Sequence, residues 1–268
     1  MALQDRSIIY TPFPVRHALE EIRTSIGADT FLKTKSLLKF GRSEIVGTSY
    51  STVQEHGGND NYLTNNLIDS LISSNVNDTQ TVEIEGHTID GSGNLTFVKQ
   101  TAVLNGRTRV ALATPLARAT RVANINSTEI EGTVYVHIDD TGNYTNGVPQ
   151  TAGVIYVIMT ADDQQSLKAA TSISRYDYWI LTGGLISVAQ KSGSPIVTFR
   201  IQVREQGGVF RTRATATTSN SAAVFIPLEP PLIVPANADF RIQAKSSTSN
   251  TEVSAWVNGY LAKARSAP

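Results

Sequence analysis

Residues 196–205 read Ile-Val-Thr-Phe-Arg-Ile-Gln-Val-Arg-Glu. Val197, Phe199, Ile201 and Val203 alternate with Thr198, Arg200, Gln202 and Arg204, and a two-residue period puts each set on its own side of an extended strand. A chain with this pattern folds around a sheet that has one buried face. Similar apolar runs recur at 154–160, 178–190, 209–217, 223–228, 240–245 and 253–262, separated by short polar turns. Seven or eight strands at such spacing predict a β-sandwich of jelly-roll type over residues 152–268.

The first half is also β-rich. Runs at 81–85, 95–104, 107–113 and 132–138 read as strands, and Asn105-Gly106 offers the positive-φ pair of a tight hairpin. Leu63, Leu67 and Leu71 recur every four residues between Asn- and Ser-rich flanks, so 63–72 stays open between helix and strand. The run Asp-Asp-Thr-Gly-Asn-Tyr-Thr-Asn-Gly at 139–147 is dense in turn formers and marks a boundary or a long exposed loop. The expected organisation is mainly β: an N-terminal arm and short helix in 1–40, a β-rich domain in 41–140, a linker at 141–151, and the jelly-roll-like domain in 152–268. The helix lies at 14–27, where Pro14 suits the first position, Gly27 the stop, and Val15, Leu19, Ile22 and Ile26 share one face. Ahead of it, Ile8, Ile9, Tyr10 and Phe13 form an apolar set in a stretch kept extended by Pro12 and Pro14. With little local structure to bury them, these four are expected to lie on a neighbouring protein.

The residues that carry chemistry are scattered. Lys plus Arg number 23 and Asp plus Glu number 23, so no global field holds a nucleic acid. There is no cysteine, which removes disulfides and thiol chemistry. His17, His56, His87 and His137 stand apart from one another, without metal-ligand spacing. Gly41-Arg42-Ser43-Glu44-Ile45 lacks the last glycine of a nucleophile elbow. Asp90-Gly91-Ser92-Gly93-Asn94 begins like a calcium loop, but Thr101 occupies the place of its bidentate glutamate, and the stretch reads as a polar turn. Without a leader-like start or a run of roughly 18 to 20 apolar residues, no export signal or membrane span is expected. The expectation is a non-enzymatic protein with no cofactor, no metal, no nucleic acid and no membrane partner.

Two surface patterns remain. If Gly207-Gly208 is a two-residue turn, Arg204 faces Arg211, and Arg200 and Arg213 share their outward face. Such a face is either solvated and neutralised by the next strand or a contact surface for another subunit. Tyr176, Tyr178 and Trp179 cluster as a sugar platform would, but Trp179 and Trp256 both sit in apolar strand runs, which favours core packing.

Several stretches together resemble virion structural proteins of tailed bacteriophages. They are Phe40-Gly41-Arg42 followed by Gly57-Gly58, Thr81 to Gly86 continuing to Val103-Leu104-Asn105-Gly106, Gln164 to Ala169, and Val203 to Arg211. The resemblance spans about residues 39–262 and carries no enzymatic signature. It implies a β-rich subunit present in many copies, located in the virion and assembled in the host cytoplasm. Its partners would be other virion proteins, the major capsid protein first, and itself, as a homotrimer or other homo-oligomer. Capsid decoration or cement is the leading role; a tail, neck or baseplate part is the alternative within the class, and a carbohydrate-binding module the alternative outside it.

Overall fold

The computed structural model describes residues 34–55, 58, 60–151, 153–189, 194–219 and 222–263. The expected helix at 14–27 and the arm residues Ile8, Ile9, Tyr10 and Phe13 lie outside these. Among the described residues eighteen strands follow in chain order: β1 (Lys35–Val46), β2 (Ser51–Thr52), β3 (Ile68–Ser73), β4 (Thr81–Ile89), β5 (Leu95–Val103), β6 (Val110–Leu116), β7 (Arg118–Asn124), β8 (Val134–His137), β9 (Tyr144–Thr145), β10 (Val148–Pro149), β11 (Ile155–Met159), β12 (Ala170–Ser172), β13 (Asp177–Val188), β14 (Ile196–Glu205), β15 (Arg211–Ser219), β16 (Ala223–Val234), β17 (Ala238–Ser246) and β18 (Thr251–Lys263).

Two antiparallel sheets, β1-β18-β13-β16 and β12-β17-β14-β15, share one core, and β2 pairs with β17 on the same side as β12. With β2 and β12 taken as one interrupted strand, eight strands run in the order 1-8-3-6 in one sheet and 2-7-4-5 in the other. That is a jelly roll, two Greek keys wrapped into a sandwich. The period-two pattern explains the inner layer: Val197, Phe199 and Val203 of β14 are buried against Trp179 of β13 and Phe240 of β17. Trp179 meets Phe240 edge-on with ring centroids 4.9 Å apart. Each large apolar side chain so buried contributes about 1.5–3 kcal/mol.

A second core belongs to β3–β11, where Leu71, Ile84, Leu116 and Val136 pack between the sheets β11-β8-β3-β6 and β5-β4-β7. This unit is inserted into the jelly roll. The chain leaves after β2 and returns at β12, and Gln54 bridges Lys168 where its two ends meet.

The pairings regroup the expected domains. β1 lies in the jelly roll because its outer neighbour is the C-terminal β18, with Lys35 opposite Leu261 and Phe40 opposite Trp256. β11, beyond the turn-rich stretch at 139–151, pairs back onto β8, with Met159 opposite Val134. Residues 141–151 therefore form a connection within one sheet, carrying the small β9–β10 ladder, and are not a linker between domains. The open segment 63–72 resolves as loop up to Leu67 and strand β3 from Ile68, centred in its sheet between β8 and β6. Asn105-Gly106 does turn the chain, with Gly106 at φ 53° and Asn105 bridging Thr108 antiparallel, but β5 and β6 do not go on to pair with each other. Gly106 N–H donates to Asp78 O, and a Cβ there would lie 2.3 Å from Val76 O. Held against that backbone, the turn sends β6 to β3 while β5 stays with β4.

Candidate interaction face

The sheet β1-β18-β13-β16 buries one face in the sandwich and turns the other outward. Strand register aligns that outer face into rows. One row reads Phe40, Trp256, Leu185, Phe225; a second reads Ser36, Tyr260, Ile180, Ile233; between them lie Leu38, Asn258, Gly183 and Pro227. An outward sheet face in water normally alternates polar residues against the core. Here the first row is apolar across all four strands, and the other two add Leu38, Pro227, Tyr260, Ile180 and Ile233. Leu38 is 52% exposed, and Phe225 and Ile233 are each 59% exposed. Phe40, Trp256, Leu185, Ile180 and Tyr260 are half-buried, with the Phe225 and Trp256 rings 6.4 Å apart. The row below, Arg42, Ser254, Ser187 and Ala223, is a polar rim, where Arg42 Nε donates to Glu252 Oε1 at 2.8 Å and Nη2 to Glu44 Oε1 at 3.0 Å. From strand and pleat spacings the apolar rows span about 14 Å across and about 14 Å along the strands, centre to centre.

Trp256 is thus not a core residue as its apolar surroundings suggested; the core position of that neighbourhood belongs to Val257 and Ala255. Trp179 is fully buried, so it cannot form a sugar platform with Tyr176 and Tyr178. The signal that marks the outer face was present: β1, β13 and β16 carry apolar pairs at Leu37-Leu38, Ile180-Leu181, Leu185-Ile186 and Phe225-Ile226, where a one-sided strand would alternate.

The arginine hairpin takes a different shape from the expected one. A register shift lies between Ile201 and Gln202, Val203 rather than Arg204 pairs with Arg211, and residues 206–210 make the turn. Arg204 and Arg211 therefore do not oppose each other. Arg204 Nε donates to Asp239 Oδ2 at 3.1 Å and its guanidinium lies 4.4 Å from the Tyr62 ring centroid. Arg200 donates to Gln243 and stacks 3.8 Å over Tyr50. The acidic company of Arg204 is supplied inside the chain by Asp239, and Arg200 rests on a neutral amide and a ring. Arg211 and Arg213 are exposed on the edge strand β15.

That side of the sheet forms the seam with the inserted unit. Asp239 is wholly buried and accepts from Arg118 Nε at 3.0 Å, Arg204 and Ser172 Oγ at 2.6 Å. Arg118 comes from β7 of the inserted unit, so this carboxylate pins the two units together. Lys39 Nζ, from the inner side of β1, reaches Thr120 O at 3.5 Å, and Lys168 Nζ donates to Tyr156 O at 2.8 Å. Burial pulls each of these two amines down to about 8, with Glu85 partly opposing the shift at Lys39 and Asp60 at Lys168. Burial likewise pulls His87, packed edge-on against Phe97, down to about 3.

These shifts set two pH windows. Unfolded lysine keeps its proton to about 10.5, so between pH 8 and 10.5 the unfolded state binds more protons and stability rises with pH. Unfolded histidine protonates near 6.5, so stability falls as pH drops from 6.5 towards 3. Thermal unfolding is expected to show its midpoint climbing from pH 7.5 to 9.5 and falling below pH 6. Lys39→Met removes a desolvated charge at similar volume and is expected to stabilise by about 1–3 kcal/mol at pH 7 and to flatten the alkaline climb. A destabilised Lys39→Met with an unchanged profile would contradict this.

The acidic turns are structural. Asp90 Oδ1 accepts from Ser92 N and Asn94 N, each at 2.9 Å, and Asp140 Oδ2 from Gln150 N and Thr151 N. Asp90 makes a local Asx-type turn, and Asp140 ties the far end of its loop back to the start.

No family model matches the chain, and no curated protein matches it. Among solved structures it overlaps the infectious bursal disease virus Gx strain at a TM-score of 0.22 and 11% identity, over 87% of this chain and 76% of that one. The VP2 subviral particle of the same virus gives 0.21 and 12%, over 95% and 82%. At these scores the likeness carries no argument; the jelly roll rests on the strand order.

Proposed function

We propose that this chain is a non-enzymatic structural subunit of a virus particle, a tailed bacteriophage by its sequence resemblance, and that it binds the capsid surface as a decoration or cement protein. The observation that carries the reading is the outer sheet face, apolar across four strands and bordered by a polar rim, the layout of a protein-binding surface. The jelly roll beneath it is an architecture of viral capsid and lectin domains, and supports the reading only as analogy. The partners proposed are the major capsid protein and further copies of the same chain, arranged as a trimer or another closed ring. Counting copies per purified particle tests this. Decoration of a lattice requires on the order of hundreds of copies, whereas a tail, neck or baseplate ring requires about three to twelve. Absence from particles altogether would overturn the structural role.

A further inference from the structure

The edge strand of a sheet carries backbone N–H and C=O groups that the sheet itself does not use, and chains normally guard such an edge with charge, proline, a bulge or shortness. Among the described residues the jelly roll guards three of its four edges in full. β2 and β12 are two and three residues long. β16 carries Pro227, Pro230 and Pro231, which lack an N–H, and β1 carries Lys35, the buried Lys39, Arg42 and Glu44. The fourth edge, β15, is guarded at one end only. Arg211 and Arg213 stand there, and Arg213 is a bulged residue that the register skips, since Ile201 pairs with Ala214 and Gln202 with Thr212. From Ala214 to Ser219 the strand runs six residues in register with β14, without charge, proline or bulge. No strand lies on its other side among the described residues.

We propose that β15 pairs antiparallel with β15 of a second copy, about a twofold axis normal to the sheet that passes through Ala216 or Thr217. An axis of this kind keeps every side chain on its own face of the sheet, so a residue at the axis meets itself. These two positions are the ones that pair the most of the unguarded stretch. The residues then set against one another are small and neutral, Ala214, Thr215, Ala216, Thr217 and Thr218. The like charges stay apart. Arg213 and its twofold mate lie at opposite ends of the pairing, at least about 20 Å from each other and beyond the screening length of about 8 Å. An apolar slot of about 400 Å³, lined by Ala214, Ala216, Ile226 and Leu228 among others, lies under this edge, and a strand laid beside β15 shields it. The same axis turns the apolar outer faces of both copies the same way, so that a pair presents them to one surface. β15 belongs to the other sheet, so the pairing holds whether or not that apolar face meets a capsid.

The chain has no cysteine, so a single substitution reports one position. A216C and T217C are compared with V209C, whose side chain is exposed in the turn before β15. The free full-length subunit is oxidised mildly and resolved on non-reducing gels, beside sedimentation of the unsubstituted chain. The unsubstituted chain is expected to sediment as a dimer at high concentration. One of A216C and T217C is expected to link into a covalent dimer at least about tenfold faster than V209C. T215K/T217K, at two exposed positions, sets like charges across the axis and is expected to weaken dimerisation at least about tenfold with an unchanged thermal midpoint. A chain that sediments as a monomer throughout, V209C linking as fast as both test positions, or dimers that T215K/T217K leaves intact would overturn the pairing. None of these readouts uses particles, so failure here is separate from failure of the capsid reading.

Discussion

Asp239→Ala is expected to destabilise the folded chain by about 3–5 kcal/mol, the largest single loss of any change away from the apolar cores. The carboxylate is wholly buried and holds two guanidinium groups, Arg118 of the inserted unit and Arg204 of the jelly roll, with Ser172 Oγ as a third donor. Removing it leaves two desolvated cations facing each other. Tyr62, which lies under both arginines, and Phe210, which lies under Arg204 and meets Tyr62 at a tilt with centroids 4.9 Å apart, do not replace a negative charge. Asp239→Asn keeps acceptor geometry at the oxygen but not the charge, and is expected to lose less. Combining Asp239→Ala with Arg118→Met is expected to recover part of the loss, since one stranded cation goes with it. Urea unfolding of these three variants and of Arg118→Met alone measures the series; additive losses in the double variant would contradict the pin.

How far the fold can be read from the sequence depends on which physical signal each element carries. β14 is legible because its alternation reports one buried face, and β11, β13, β17 and β18 fall within a few residues of their apolar runs. β1 is not legible as part of the jelly roll, since its partner β18 is separated from it by two hundred residues and no local pattern encodes that pairing. The same holds for the insertion: an exposed, turn-rich stretch such as 139–151 looks the same whether it joins domains or two strands of one sheet. The arginine hairpin misled because alternation gives the face of Arg200 and Arg204 but not what lies on it. Asp239 and Tyr62, which do lie there, are distant in sequence. The outer face is the instructive case. Its doubled apolar pairs fit a strand covered on both sides, and what remained hidden is that the described chain covers only one of them.

The second large effect concerns that face. Phe225 and Ile233 sit on the edge strand β16, more than half exposed, so Phe225→Asp with Ile233→Asp is expected to leave the free subunit's stability within about 0.5 kcal/mol. In an assembled interface the same two carboxylates would be desolvated without partners. At a cost of about 2–4 kcal/mol each, binding falls by more than about a hundredfold. A polar-rim control, Ser254→Asp, changes the charge of the same sheet outside the apolar rows and is expected to bind almost normally.

The most direct measurement is therefore incorporation of the Phe225→Asp/Ile233→Asp chain into particles that lack the wild-type protein, quantified by copies per particle beside the thermal midpoint of the free subunit. The account expects an unchanged midpoint with incorporation nearly abolished; wild-type copy number in the variant particles would contradict it.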